Sequence, residues 1–244
     1  MCGRLRFGHG LGVAGLMWDR EAAQGGVLVG PLCSKWSQSA VEGSCGRLLD
    51  VELRTARLVL RPVAVEDAAM VHTYRGSPEV VTHLTHPALD LDQTRQRLAR
   101  AAALWRSVEQ GRFNLTFAVV LDGTVIGDVH AWNMAEQFQP ASPHPTEVWI
   151  GYAFSPRSHG HGYATEAIRT LLDWLFAQGA EQVFANTYTD NTRSVTLLQR
   201  LGFEEYWHYT AEQDASGKNL ASCRMRLDRE VMSGIESGAT AQPA

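Results

Sequence analysis

The stretch that most constrains this chain is a junction near its middle. A strand-like run ends, two glycines one position apart follow, and an amphipathic helix starts at once. Glu147-Val148-Trp149-Ile150-Gly151-Tyr152-Ala153-Phe154 has the length and the β-branched and aromatic content of a strand. Ser155 to Gly162 is a turn, with Gly160 and Gly162 its last punctuation. From Tyr163 to Gln178 the apolar residues Ala164, Ala167, Ile168, Leu171, Leu172, Leu175 and Phe176 recur at helical spacing. A second strand-like run, Gln182–Tyr188, comes next. Strand, helix and strand in that order form a βαβ crossover, which puts a parallel pair in the sheet and a helix on its face.

The flanking text extends that core. Arg57-Leu58-Val59-Leu60-Arg61-Pro62 alternates as a strand ended by Pro62, and Glu66 and Asp67 open a helical stretch stopped by Gly76 and Pro78. Asp90 or Asp92 caps a longer helix running to about Gln110, with Leu98, Ala102 and Trp105 on one side. Leu115–Leu121 and Val125–Trp132 read as a hairpin across Asp122-Gly123. Residues 133–145 are a polar, Pro-containing loop. A short helix, Arg193–Leu201, precedes strands at Phe203–Tyr209 and Ser222–Leu227. The fold class is α+β, a mixed central sheet with helices on its faces.

The domain begins near residue 50. Before it, glycine recurs every few residues and no helical or strand period persists, so residues 1–49 are expected to be a disordered extension or an upstream stretch not present in the native protein. The domain then runs over 50–232, and residues 233–244 are a small-residue tail expected to be disordered. The N-terminal apolar stretch from Gly10 to Trp18 is broken by glycines and lacks a cleavage pattern, so a cytoplasmic protein is expected.

Composition excludes more than it selects. Hydrophobic residues make up 45% and charged residues 20%, the balance of a globular chain with a core. A net charge of -4 gives no global attraction to nucleic acid or an anionic membrane, so neither partner is expected and any anion site must be local. No apolar run reaches the roughly 20 residues of a membrane span. Cys2, Cys33, Cys45 and Cys223 match no zinc spacing, and no metal is assigned. Cys223, on a late strand, reads as a core residue rather than a nucleophile. Oligomeric state is not legible.

The turn between strand and helix is suited to an anion. A helix N-terminus presents unpaired N–H groups and a positive dipole end, and glycines before it let an anion approach the backbone. Arg157 adds a charged donor on the rim. A ligand-free tight turn would use the same residues. A dinucleotide fold would want Gly or Ala where Thr165 stands, and no Gly-Lys-Ser/Thr follows for a P-loop.

Four ordered motifs break the tie. Arg157-Ser158-His159-Gly160-His161-Gly162 resembles the acetyl-CoA motif of the GNAT N-acetyltransferases, [Q/R]-x-x-G-x-[G/A]. Its continuation through Tyr163-Ala164-Thr165-Glu166-Ala167 is similar to the RimJ/RimL-like branch, as is Glu147-Val148-Trp149-Ile150-Gly151-Tyr152. Asn191-Thr192-Arg193-Ser194 through Leu201-Gly202-Phe203 resembles a further segment of that branch, with Arg200 where Lys is usual, and Leu53 to Pro62 its opening strand. His159 and His161 depart from the residues more often found there, and the 133–145 loop is longer than usual. The resemblance runs from about residue 51 to 228.

That resemblance implies a GNAT fold with a splayed central strand pair and acetyl-CoA as co-substrate. Backbone groups of Tyr152 and Phe154 would pair with pantetheine in the gap. Amides of His159, Gly160, His161, Gly162, Tyr163 and the following Ala164 would hold the diphosphate, with Arg157 beside them. Asn191 would contact the cofactor, compatibly with capping a helix. The reaction implied is direct attack of an amine on the thioester in a ternary complex, without an acyl-enzyme. Ser194 matches the position facing the CoA sulfur and is the candidate general acid, with a helix-start hydroxyl as the alternative. Glu147 is the candidate base, acting through water, against a plain strand-end carboxylate. Tyr152 is a second candidate hydroxyl.

Deprotonation narrows the acceptor. A lysine side chain costs about 4 kcal/mol at neutral pH and an α-amine only about 1 kcal/mol. A protein N-terminus or a small-molecule amine is the expected acceptor, in a pocket between the two early helices and the 133–145 loop. His83, His86, Trp132 and Phe138 are candidates to line it. The rival class is a non-catalytic acyl-CoA sensor on the same fold, which would dispense with Glu147 and Ser194.

Overall fold

A computed structural model describes residues 51–105, 112–134, 144, 146–214 and 216–232. The expected extension over 1–49, the 233–244 tail, Phe138 and most of the 133–145 loop lie outside the described residues.

Among the described residues, eight strands form one sheet. They are β1 (Leu53–Arg54), β2 (Leu58–Pro62), β3 (Asn114–Leu121), β4 (Thr124–Trp132), β5 (Glu147–Phe154), β6 (Gln182–Tyr188), β7 (Glu204–Tyr209) and β8 (Ser222–Asp228). Their spatial order is β1-β2-β3-β4-β5-β6-β8-β7. Each neighbouring pair is antiparallel except β5 and β6, the pair joined by the crossover. Asp122 and Gly123, both at positive φ, make the β3–β4 hairpin turn.

Among the described residues, five α-helices lie against the sheet: α1 (Ala68–Arg75), α2 (Pro78–Val81), α3 (Leu91–Leu104), α4 (Tyr163–Ala177) and α5 (Thr192–Arg200). Asp90 begins α3 with a capping box, its carboxylate accepting from Gln93 N–H while Gln93 Oε1 accepts from Asp90 N–H. The last turn anticipated for this helix, up to Gln110, lies outside the described residues. Two elements were not legible. β1 is only two residues long, and Pro78, expected to stop a helix, occupies the first turn of α2, where proline is tolerated.

Strand alternation sorts the core onto the two faces. Phe117, Val148, Ile150 and Phe154 pack with Ile168, Leu171, Leu172 and Leu175 of α4 and Leu198 of α5. Ala118, Val125 and Ala153 point the other way, against Ala68, Val71 and Tyr74 of α1 and Leu98 of α3. Cys223 is a buried member of the first cluster, as its sequence context suggested.

One irregularity positions the site. β5 and β6 pair only over Glu147–Ile150 and Gln182–Ala185. Beyond that point β5 stays with β4 as far as Phe154, and β6 stays with β8 as far as Tyr188. The two strands therefore splay, and the sheet opens into a notch beside Gly151–Phe154. This is the mixed sheet with a splayed central pair anticipated from the sequence.

Candidate active site

The notch leads into a cleft of about 1170 Å³ running from the turn before α4 to the space beneath α1 and α2. At the notch, Ser155 N–H donates to Ile126 O of β4 at 2.8 Å. Alternation along an antiparallel pair then turns the backbone N–H and C=O of Tyr152 and Phe154 away from β4, into the gap. These groups lie beyond the β5–β6 pairing and can accept an extended chain as a further strand.

The geometry of the turn suits an anion. Gly160 and Gly162 have φ of 80° and 78°, a region that side chains rarely adopt. A Cβ at Gly160 would meet nothing within 4 Å, so the backbone there is open to a ligand. Gly162 is the N-cap of α4, and no side chain caps the helix. The N–H groups of the first turn are thus left for whatever occupies the cleft. Arg193, exposed on α5, reaches His159 Nδ1 at 3.3 Å and lines the same mouth.

At the bottom of the notch, Tyr152 and Ser194 share a hydrogen bond of 2.7 Å between their hydroxyls. Asn191 Oδ1 accepts from Ser194 N–H at 3.2 Å and so caps α5. The cap is made by Asn191, which leaves the Ser194 hydroxyl for Tyr152 and the cleft. Burial pushes the Tyr152 phenol up to about 12, against the opposing hydrogen bond with Ser194. It is neutral at physiological pH and able to donate.

The far half of the cleft is polar and aromatic. Asp128 of β4 accepts from Arg75 Nε at 2.8 Å, from Arg75 Nη2, and from Tyr74 Oη at 2.8 Å. Arg75 Nη1 donates to His86 Nε2 at 2.9 Å, and His86 Nδ1–H donates to Pro87 O at 2.8 Å. Burial, then the charge of Arg75, pulls His86 down to about 4. Burial, then Arg97, pulls His130 down to about 3. Both imidazoles are neutral at pH 7. His130 stacks on Trp132 at 4.6 Å and Trp132 on Trp149 at 6.4 Å, over the space left by Gly151.

Comparison with known proteins now decides the family. The acetyltransferase (GNAT) domain matches residues 57–204. The chain belongs to the GNAT acetyltransferases. An uncharacterized N-acetyltransferase, p20, from Bacillus licheniformis is 28% identical over 155 residues, 63% of this chain and 82% of that protein. RimJ of Mycobacterium smegmatis, solved in complex with CoA-disulfide, aligns with a TM-score of 0.61 at 21% identity, over 80% of this chain and 96% of that one. Ribosomal-protein-S5-alanine acetyltransferase from Vibrio fischeri aligns with a TM-score of 0.59 at 20% identity, over 74% and 98%.

Within this GNAT domain, the sequence-derived residues divide. Tyr152, Phe154, His159, Gly160, Gly162, Tyr163, Ala164, Asn191 and Ser194 all line the cleft, and so do His83, His86 and Trp132. Arg157 is exposed on the short turn Pro156–Ser158 and does not line it. His161 faces outward; its Nδ1 donates to His159 O at 2.7 Å and its ring stacks on Tyr163. Glu147 is at the opposite end of β5 from the notch, five residues before Tyr152 and roughly 17 Å along the strand. It is absent from the cleft lining, so the structure does not bring it to the Tyr152–Ser194 pair.

Sequence reading missed Arg193, Arg200, and the buried group around Asp128. Arg193 lay inside the motif itself, two residues after Asn191, and was legible as a cation in the first turn of a helix. Among the described residues, no three metal-binding side chains cluster, and no helix is long and apolar enough to cross a membrane.

Proposed function

We propose that this GNAT domain transfers the acetyl group of acetyl-CoA to a primary α-amine by direct attack in a ternary complex. The acceptor is a protein N-terminus or a small molecule carrying such an amine. The observation that carries the reading is the hydroxyl pair of Tyr152 and Ser194 at the foot of a notch whose mouth is an uncapped, glycine-lined helix N-terminus. Likeness to RimJ bound to a CoA-disulfide and to an S5-alanine acetyltransferase supports the cofactor and the α-amine respectively.

Acetyl-CoA supplies the thioester carbonyl and a thiol leaving group. The chain supplies the rest. Turn amides from Gly160 to Ala164 hold the diphosphate, with Arg193 adding charge at the rim. Backbone groups of Tyr152 and Phe154 orient the pantetheine arm, and Asn191 keeps Ser194 in register. The Ser194 hydroxyl, polarised by Tyr152, donates toward the departing sulfur.

A base is the lesser demand. An α-amine near pKa 7.7–8.0 is neutral often enough that deprotonation costs only about 1 kcal/mol. The far half of the cleft, walled by neutral His86 and His130 and by Trp132, receives the amine in that form. Glu147 is too distant for contact, and E147Q is expected to keep kcat/KM within about threefold.

Thiol release from acetyl-CoA, followed with N-terminal peptides and small amines as acceptors, tests the reading. Release that depends on one acceptor class supports the transferase and identifies the class. Saturable acetyl-CoA binding without release on any acceptor would replace it with an acyl-CoA sensor.

A further inference from the structure

Two carbonyls in the anion-binding turn are held from outside the cleft. Arg57 precedes β2, more than a hundred residues from the turn in sequence, and its Nη1 donates to His161 O at 3.1 Å. His161 Nδ1 in turn donates to His159 O. In a trans peptide the C=O and the following N–H point in opposite directions. Drawing the carbonyls of His159 and His161 outward therefore aims the N–H groups of Gly160 and Gly162 inward, side by side.

Arg57 also answers a charge. Glu166 lies in the first turn of α4, where a bare carboxylate would repel an anion at the helix end. Arg57 Nε donates to Glu166 Oε2 at 2.8 Å, and Nη2 is 2.5 Å from the same oxygen. Arg57 N–H donates to Oε1 at 3.2 Å, and the Thr55 hydroxyl donates to it as well. Burial raises the Glu166 carboxyl, but these donors outweigh it and hold the group below the usual carboxylate range. The guanidinium lies 4.6 Å over the Tyr163 ring, and its Nη2 would stand 3.6 Å from a Cβ built on Gly162.

We infer that Arg57 is a positioning residue for the cofactor: it aims the turn amides at the diphosphate and cancels the Glu166 charge beside them. The inference rests on the acetyl-CoA reading above. It makes recognition of the diphosphate depend on a residue in the opening strand turn, outside the glycine motif.

Donor kinetics test it, comparing acetyl-CoA with S-acetyl-pantetheine, which lacks the diphosphate. In R57M the KM for acetyl-CoA is expected to rise about tenfold, with kcat within about twofold. The preference for acetyl-CoA over S-acetyl-pantetheine should fall by the same factor. R57K, which keeps charge but not the fork, should lie between. R57M/E166Q should recover part of the loss, because the uncompensated carboxylate is gone. An unchanged acetyl-CoA KM in R57M overturns the inference. So does an equal loss on both donors, or a double variant no better than R57M, since either marks a merely structural brace. A wild-type protein that shows no saturable use of acetyl-CoA would instead overturn the underlying reading.

Discussion

Tyr152 and Ser194 come from a strand and a helix 42 residues apart and meet at 2.7 Å. If their pair protonates the departing sulfur, S194A should lower kcat by about ten- to a hundredfold with the acetyl-CoA KM within about threefold. A loss confined to thermal stability would make Ser194 a packing residue. The pH profile follows from the same site. Tyr152 is pushed up to about 12, and His86 and His130 down to about 4 and about 3, so none changes charge between pH 6 and 9. The rising limb of kcat/KM should therefore track the acceptor amine, near pH 8 for an α-amine. Changing the acceptor to one of lower pKa should move that limb down by the same amount. A limb fixed near pH 6 for all acceptors would point to an enzyme base. At this scale the sequence showed what local chemistry can show: the glycines sit in one motif, and Ser194 and the capping Asn191 together in another. The Asp128–Arg75 pair was hidden because its members are 53 residues apart and meet only through the packing of α1 on β4.

At the scale of elements, periodicity was enough for the long pieces. β5 and β6 run between the residues anticipated, because apolar runs of that length bounded by turns leave little freedom. The splay was not legible from periodicity, since strand pairing depends on where two chains diverge in space; it came only through the resemblance. Glu147 heads its strand as read, and the notch opens at the other end of that strand, beside Gly151–Phe154. Asn191 links the elements to the site, since its cap sets where Ser194 sits. N191A is expected to cost about 1 kcal/mol in urea denaturation and to lower kcat as well. An unchanged kcat with reduced stability would separate the cap from catalysis.

For the whole molecule, the buried imidazoles make stability depend on pH. His86 and His130 ionise near 6.5 when unfolded and much lower when folded. Between about pH 4 and 6.5 the unfolded chain binds more protons, so stability is full above pH 6.5 and falls as the pH drops through that window. His130 alone accounts for a loss on the order of 3 kcal/mol. Urea midpoints at pH 7 and pH 5 should show the decline, and H130Q should shallow it; a flat profile would mean these histidines are solvated. The central claim, however, concerns the turn from Gly160 to Ala164, and calorimetric titration with acetyl-CoA tests it most directly. The wild-type protein should bind saturably. G160E, which sets a carboxylate on open backbone at φ 80°, should lose that binding while keeping its circular dichroism. Equal affinity in a folded G160E would contradict the assignment of this helix end to the diphosphate.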